Sequence, residues 1–383
     1  VPAAGYRIEG LWISGLQRKL TFRNLLFPLK VVLSLMKSKK IIKMFKPDVA
    51  VGTGGFASGP LLHAASIMGI PTLIQEQNSY AGLTNKWLSS KASKICVAYP
   101  NMEKYFPRDK IVETGNPVRS EIYAALSMDR RATKKSLGFS EEEALVLFIG
   151  GSLGARTINL AVQEIIAKLS ENKIQILWQT GKNYIADTKG LEGVKASVFI
   201  QDMATSYAAA DIVVSRAGAI SVSELSLLNK ASILIPSPNV AEDHQTKNAR
   251  ALSSKHAAVL LPDAEANDKL FETIHTLLND AAKQADLKNN LTAFAKTNAL
   301  CRRPCARRPW RSKYLRPTRA PPRQRRHPPA PRRGRCPSAA RASSAAARPR
   351  GARWRPRPNR RSRASGPRHC AVKNLYRHCR CPR

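Results

Sequence analysis

The stretch Ala144–Leu169, ALVLFIGGSLGARTINLAVQEIIAKL, decides the fold. A run of six apolar residues comes first, a glycine-rich turn follows, and apolar residues then recur at helical spacing from Arg156 onward. A near-continuous apolar strand is typical of a parallel sheet that is buried on both faces. Strand, turn and helix in this order form the repeating unit of α/β folds, so the stretch predicts a doubly wound parallel sheet.

The same alternation continues in both directions along the chain. Short β-branched runs predict strands at 49–52, 72–75, 94–98, 111–114, 144–149, 174–179, 197–200, 212–215, 232–235 and 258–261. Periodic apolar segments predict helices at 25–44, 60–68, 81–89, 156–169, 221–228 and 243–254. We therefore expect two doubly wound domains, 1–118 and 119–300, with a hinge at 116–119 and a separate segment at 301–383.

The net charge of +38 is divided unevenly between these parts. Residues 1–300 carry 36 Lys and Arg against all 26 acids, whereas residues 301–383 carry 28 Lys and Arg and no acid. This division excludes one uniformly basic domain. An Arg- and Pro-rich tail without acids predicts disorder, and its charge would attract nucleic acid or anionic lipid without specificity. Six of the seven Cys also lie in the tail, so the front part is no disulfide scaffold.

Three glycine-rich turns follow predicted strands, at 51–60, 149–159 and 215–224. Small residues let the backbone approach a ligand, and the amides at the start of the next helix favour an anion such as a diphosphate. A single turn of this kind is more often an ordinary connection between a strand and a helix. Three of them in one chain favour phosphate binding, although none has the Gly-Lys-Ser/Thr of a Walker motif.

Two polar positions near these turns have alternative interpretations. Glu224 follows Ser221 by three residues, as in a capping box, but a carboxylate after such a turn could also accept ribose hydroxyls. His244 and Gln245 lie at the start of another predicted helix, where they are either surface neighbours of a cap or ligands of a phosphate.

Four tracts taken together resemble one family. IQEQNSYAGLTNKWL, TGNPVR, GGSLGARTIN and SRAGAISVSEL are similar in sequence, order and spacing to the MurG family of peptidoglycan glycosyltransferases, over about residues 8–298. The resemblance implies a GT-B fold, in which two Rossmann-like domains face a cleft. It implies inverting transfer of N-acetylglucosamine from UDP-N-acetylglucosamine to lipid I, giving lipid II, without a metal or another cofactor. It also implies a peripheral location at the anionic inner face of the cell membrane and no specific nucleic-acid partner.

The resemblance also implies roles for individual residues. Those expected to bind the donor are Asn78, Arg119, Ser152, Ile200, Gly218, Ala219, Ser221, Glu224, His244 and Gln245. Those expected on the acceptor side are Gly54, Gly55, Glu76 and Gln77. Asn116 and Pro117 are either part of this site or only a hinge turn. His244 stands where the family often has Gln, and Leu153 stands where it often has Gln, so side-chain roles there are weaker expectations.

The chain departs from the family at both ends. The family begins with a strand and a glycine-rich turn whose His is a candidate base, so we expect roughly 60 residues, including that base, to precede Val1. The change from Lys to Arg usage near residue 300 is typical of a GC-rich gene read in a shifted frame, and we expect this origin for 301–383.

The segment 22–45 has two interpretations. Its apolar residues and lysines suit either a core-facing helix with a solvated lysine face or a helix that contacts an anionic membrane surface. Helical spacing alone favours the core, and the resemblance favours the membrane. Among enzymes, the alternative to the family reaction is another UDP-sugar GT-B protein, such as a glycolipid transferase or an epimerase. The alternative from another class is an inactive fragment whose basic tail binds nucleic acid.

Overall fold

The computed structural model describes residues 5–14 and 26–296, without the side chain of Ala241. Within these ranges the chain forms two parallel sheets with helices between the strands, as predicted. The first sheet has four strands in the order β1-β2-β3-β4, and the second has six in the order β10-β9-β8-β5-β6-β7. The predicted tail lies outside the described residues.

Strands alternate with helices along most of the chain, although β7 follows β6 directly and the last two helices are consecutive. The strands are β1 Ala50–Gly52, β2 Thr72–Glu76, β3 Lys94–Val97, β4 Ile111–Glu113, β5 Leu145–Ile149, β6 Gln175–Gln179, β7 Val194–Ser197, β8 Ile212–Ser215, β9 Ser232–Leu234 and β10 Val259–Leu260. The α-helices are α1 Phe27–Phe45, α2 Ser58–Ile67, α3 Leu83–Leu88, α4 Arg130–Ser136, α5 Arg156–Glu171, α6 Met203–Ala209, α7 Ala219–Leu227, α8 His244–Ser253, α9 Ala266–Asn279 and α10 Ala281–Leu291. Short 3₁₀ segments are Met102–Lys104, Arg108–Lys110, Ser120–Ser127, Ala241–Asp243 and Asp263–Glu265.

The second sheet has the strand order of a Rossmann fold. Read from β7, the order is third, second, first, fourth, fifth and sixth strand of this half of the chain. The order reverses between β5 and β8, which pair directly from Val146 with Ile212 to Ile149 with Ser215. Open α/β sheets bind ligands outside the carboxyl ends of the strands at such a reversal. The turns after β5 and β8 therefore flank the expected ligand crevice.

The strand β5 lies in the interior of the second sheet, between β8 and β6. All five of its residues are buried, because helices cover both faces of the sheet. Trp178 on β6 is fully buried on one side, where its indole N–H donates to Asn159 Oδ1 at 3.1 Å. Asn159 in turn donates to the Thr180 carbonyl at 2.8 Å, so α5 is fixed to the end of β6.

The predicted strand at 197–200 was wrong in position. The strand β7 is Val194–Ser197, and it is an edge strand that pairs only with β6 within the described residues. Its polar, half-exposed sequence carries little apolar signal, whereas the apolar residues Val198 and Phe199 lie beyond it and are exposed. No helix in the described ranges is long and apolar enough to cross a bilayer.

Candidate functional site

The turn after β5 is fixed against the end of β6. Gly154 has φ +78, and a Cβ atom there would lie 2.1 Å from the Thr180 carbonyl oxygen, so only glycine fits. The Gln179 side chain donates to the Gly151 carbonyl at 3.0 Å and accepts from the Ile200 backbone N–H at 2.9 Å. Gln179 thus joins the turn that carries Ser152 to the segment that carries Ile200. Ser152 is exposed, and Ile200 is buried.

The turn after β8 leads into α7 without a side-chain cap. Gly218 is the N-cap residue in an extended conformation, and as a glycine it has no side chain to accept from the first amides of the helix. Those amides and the helix dipole favour an anion at Gly218 and Ala219. Arg216 is not available for that role, since its guanidinium pairs with Asp263 and donates to the Ile235 carbonyl at 3.1 Å.

Glu224 is part of a buried polar pair rather than a capping box. Ser221 lies inside α7, so the capping-box interpretation was wrong. The Glu224 carboxylate accepts from the Tyr207 hydroxyl at 3.0 Å, and its other oxygen lies 3.4 Å from Arg119 Nη2. The Arg119 side chain is 54% exposed and that of Glu224 only 6%. The motif NPVR therefore contributes its arginine to the same place as the third glycine-rich turn.

Burial changes the acidity of this pair. Desolvation raises the pKa of Glu224, although the Tyr207 hydrogen bond and the Arg119 charge act in the opposite direction. The pKa of Tyr207 is raised as well, by burial first and by the neighbouring carboxylate second. A carboxylate has about four lone-pair directions, so Glu224 can still accept from a ligand hydroxyl.

Asn116 is a bridge between segments of both sheets. Its side-chain amide donates to the Gln77 carbonyl at 3.0 Å and to Ser223 Oγ at 2.9 Å, on α7. Its carbonyl oxygen accepts from Gln75 Nε2 at 3.3 Å. The side chain is almost fully buried, so the hinge-turn interpretation is incomplete.

The loop after β2 is organised by Glu76. This buried carboxylate accepts from the Asn78 backbone at 3.1 Å, from the Gly82 backbone at 3.1 Å and from the Asn85 side chain at 2.8 Å. Gln77 folds back to donate to the Gln75 carbonyl at 2.8 Å. Glu76 thus holds its own loop, and contact with an acceptor remains a prediction for it.

The turn after β1 lies beside this loop. Gly54 and Gly55 both have φ +79, which L side chains rarely adopt. A Cβ at Gly54 would lie 3.5 Å from the Asn85 side chain. The turn after β1 and the Glu76 loop therefore meet at Asn85, and the binding of an acceptor there remains a prediction.

Asn248 contacts the expected site residue Asn78, and the sequence alone does not indicate it. It lies fully buried on α8, where its amide donates to Asn78 Oδ1 at 3.0 Å and its carbonyl oxygen accepts from the Ser79 backbone at 2.9 Å. Asn78 comes near the second sheet through this contact. Earlier on the same helix, Gln245 accepts from the Ser237 backbone at 2.9 Å. His244 begins α8 beside it. The residues around Asn248 do not indicate this contact, because its partner Asn78 is 170 residues away in sequence.

These features define what the site can bind. The crevice between β5 and β8 offers backbone amides and a helix dipole to an anion, with Arg119 beside them, and a buried carboxylate to hydroxyl groups. This combination suits a nucleoside diphosphate. No group of three His, Cys, Asp or Glu side chains in the described part of the chain could hold a metal ion.

Known proteins share this sequence and fold. The glycosyltransferase family 28 N-terminal domain matches residues 1–97, and the C-terminal domain of that family matches residues 145–300. The UDP-N-acetylglucosamine–N-acetylmuramyl-(pentapeptide) pyrophosphoryl-undecaprenol N-acetylglucosamine transferase of Cytophaga hutchinsonii is 53% identical over 301 residues, which cover 78% of this chain and 81% of that protein. The transferase of the same name from Porphyromonas gingivalis strain W83 is 51% identical over 306 residues, with 78% and 80% covered.

Solved structures agree with these relatives. The crystal structure of MurG from Acinetobacter baumannii matches with a TM-score of 0.58 at 29% identity, covering 77% of this chain and 81% of that one. The glycosyltransferase of kitacinnamycin has the same fold, with a TM-score of 0.54 at 16% identity over 75% of this chain and 83% of that one. The predicted GT-B architecture is confirmed by this agreement. The chain therefore belongs to glycosyltransferase family 28 and, within it, to the MurG family.

Proposed function

We propose that the chain transfers N-acetylglucosamine from UDP-N-acetylglucosamine to N-acetylmuramyl-(pentapeptide) pyrophosphoryl-undecaprenol, the lipid I of peptidoglycan synthesis, and so forms lipid II. A hydroxyl oxygen of the acceptor attacks the anomeric carbon of the donor from the side opposite UDP. The bond from that carbon to the diphosphate oxygen breaks, the hydroxyl proton passes to a general base, and the anomeric centre inverts. The observation that carries the proposal is the buried Glu224 beside the uncapped start of α7, at the reversal of the second sheet.

The donor would lie across the turns after β5 and β8. Its diphosphate would accept from the amides at Gly218 and Ala219, with Ser221 on the first turn of the helix and Arg119 nearby. Charge that develops on the leaving UDP would be stabilised by these fixed dipoles and by the guanidinium. Ser152 at the exposed tip of the turn after β5 would add a further contact to phosphate.

The uridine and the sugar would occupy the two ends of this crevice. The ribose hydroxyls would donate to Glu224, and the uracil would lie along Ile200. The sugar hydroxyls would face Gln245 and His244 at the start of α8, with Asn78 reaching them from the first sheet through its contact with Asn248.

The acceptor would lie on the side of the first sheet. Gly54 and Gly55 both have φ +79, and nothing lies within 4 Å of a Cβ placed at Gly55, so the backbone of this turn could approach the acceptor diphosphate closely. Glu76 and Gln77 hold the neighbouring loop in shape.

Helix α1 would contact the anionic membrane surface that holds a lipid-linked acceptor. It buries the small or polar Ser34 and Ser38 together with Ile42, whereas Leu29, Val32 and Met36 are half or more exposed. The side of the helix that faces the core is therefore mostly small and polar, and most of its large apolar side chains lie on the other side. Lysines follow on the same helix at 37, 39, 40 and 43. An exposed apolar face beside basic residues suits peripheral binding to an anionic leaflet, on the cytoplasmic side.

The test is donor binding followed by transfer. Calorimetry with UDP-N-acetylglucosamine on the wild type and Glu224→Ala should show affinity weakened by about 1–3 kcal/mol in the variant, because ribose hydroxyls lose their acceptor. Equal affinity in both proteins would remove the ribose role. Transfer of labelled N-acetylglucosamine to a lipid I analogue then tests the reaction itself.

A further inference from the structure

A cluster of lysines and tyrosines lies where the loop after β2 meets α8. We define the lysine–tyrosine cluster as Tyr80, Tyr105, Lys86, Lys104 and Lys247. The two rings contact each other edge to face, with centroids 5.2 Å apart. The roles proposed above for donor and acceptor use none of these five residues.

The ammonium groups converge on the rings from three separate elements. Lys86 on α3 lies 4.1 Å from the Tyr80 centroid, and Lys247 on α8 lies 3.2 Å from the same centroid. Those two nitrogens are therefore no more than about 7 Å apart. Lys86 and Lys104 also lie 4.7 and 5.1 Å from the Tyr105 centroid.

No carboxylate balances this charge. Among residues 5–14 and 26–296, no ion pair involves Lys86, Lys104 or Lys247. Glu242 approaches Lys247 only through its main-chain carbonyl, at 2.8 Å. Glu103 is exposed and pairs with none of them. Two half-buried ammonium groups at this separation repel each other, and a cation–π contact returns only a small stabilisation.

The cluster adjoins both sides of the proposed site. Asn85, next to Lys86 in sequence, donates to Glu76 and lies beside Gly54. Asn248, next to Lys247, contacts Asn78 and Ser79. An anionic oxygen group held here would thus lie at the acceptor end of the site and also near Gln245.

We propose that Lys86 and Lys247, presented on the Tyr80 and Tyr105 rings, form a binding site for an anionic oxygen group of the acceptor. This inference rests on the proposed function. A lipid-linked muramyl pentapeptide carries two sources of that chemistry, its diphosphate and its peptide carboxylates. Either would bridge the two ammonium groups and relieve their repulsion, and Lys104 at the exposed edge would strengthen the local potential.

The experiment measures anion binding to the full chain by calorimetry at low salt. One arm titrates muramyl pentapeptide, which has carboxylates and no phosphate. The other titrates inorganic pyrophosphate in the presence of saturating UDP, which occupies the donor crevice. The variants are Lys86→Met with Lys247→Met, and Lys86→Arg with Lys247→Arg. Lys168→Met is the matched control, because Lys168 also lies over a ring, that of Phe271, at 4.0 Å on the outer helices α5 and α9.

The double Met variant should bind one of the two anions about tenfold more weakly than the wild type, and the double Arg variant should restore most of the affinity. The titration in which binding is weakened shows whether the site holds the diphosphate or a peptide carboxylate of the acceptor. Unchanged binding of both anions, an equal loss in Lys168→Met, or no binding of either anion to the wild type would overturn the proposal. Affinity for UDP-N-acetylglucosamine should be the same in all variants. If the wild type did not bind UDP-N-acetylglucosamine, that result would contradict the proposed function and not this inference.

Discussion

At the scale of single residues, the site depends on buried polar side chains whose desolvation is unfavourable. Glu224 is the clearest case, because burial raises its pKa more than Tyr207 and Arg119 lower it. The folded protein therefore holds a proton on this carboxyl more tightly than the unfolded chain does. The stability that Glu224 contributes is complete below its unfolded pKa and is lost as pH rises through its raised folded pKa.

Glu224→Gln should therefore separate stability from binding. An amide oxygen can accept from Tyr207 without a buried charge, so the free energy of unfolding at pH 7 should rise by up to about 1 kcal/mol, or roughly 2–4 °C in melting temperature. The advantage of the variant over the wild type should shrink as pH falls through the raised folded pKa of Glu224, and it should stop changing below the unfolded value of about 4.5. Affinity for UDP-N-acetylglucosamine should fall, because the amide accepts more weakly. Urea unfolding across this pH range measures the first effect, and a less stable variant at pH 7 would contradict it.

At the scale of elements, the turns that carry the site are fixed by close backbone contacts. The turn after β5 has two glycines with positive φ in different surroundings. Gly154 lies against Thr180, whereas nothing lies within 4 Å of a Cβ placed at Gly151. The same substitution at the two positions thus separates the effect of backbone conformation from that of space.

Gly154→Ala should destabilise the second sheet by roughly 3 kcal/mol or more, because the added methyl group meets the Thr180 carbonyl and the turn must move. Gly151→Ala should cost only about 1–2 kcal/mol, from the left-handed conformation alone. Denaturant unfolding gives both values. Equal losses would mean that the contact with Thr180 does not hold the turn.

The exposed face of α1 should govern binding to membranes. Leu29→Gln with Met36→Gln should lower partitioning to vesicles of anionic lipid by roughly tenfold or more, because apolar side chains no longer enter the interface. Stability should not change, since both side chains are at least half exposed in the folded chain. Ile185→Gln is the control, as Ile185 is 95% exposed on another part of the protein. Vesicle sedimentation gives the result, and equal losses in both proteins would exclude α1 as the contact.

At the scale of the whole molecule, polar bridges and one apolar cluster join the two sheets. Asn116 reaches Ser223, and Asn248 reaches Asn78 and Ser79. The apolar cluster includes Ile74 of the first sheet and Val213 of the second. Loops from both sheets thus meet at the proposed site.

Asn116→Ala should weaken the contact between the loops of the two sheets. The Gln77 carbonyl and Ser223 hydroxyl would lose a buried donor, which costs about 1–3 kcal/mol in the free energy of unfolding. Ser223→Ala is the matched control, since it removes one of these partners and leaves the other, and it should cost less. Urea unfolding measures both, and a larger loss in Ser223→Ala would contradict the bridging role.

Removal of residues 301–383 should separate the charge of the chain from its proposed function. The segment carries 28 of the 64 basic residues and no acid, so the truncated chain should lose its binding to nucleic acid at low salt. Affinity for UDP-N-acetylglucosamine should be unchanged. Filter binding and calorimetry measure the two effects. A loss of donor affinity on truncation would favour the alternative in which the tail dominates function.

The sequence by itself determined the parallel α/β class, most of the strands and the family, although it predicted neither α4 and α6 nor α9 and α10. Strands such as Leu145–Ile149 and turns such as Gly150–Gly154 are set by local apolar runs and by glycine, whose signal lies within a few residues. The tract NPVR likewise identified Arg119 before any contact was known. These features could be predicted because φ and ψ preferences and the spacing of apolar residues depend on residues that are close in sequence.

Only the tertiary structure decided which side chains meet. Asn248 and Asn78 are 170 residues apart, Glu224 and Tyr207 lie on different helices, and the lysines around Tyr80 come from separate elements. Tertiary packing also decided that α1 buries Ser34 and Ser38 and exposes residues such as Leu29, against the preference that spacing alone gave. Such pairings depend on how sheets and helices pack over long distances in sequence. A polar group that loses its contact with water on burial needs a hydrogen-bond partner inside the protein. That partner then determines what the group does.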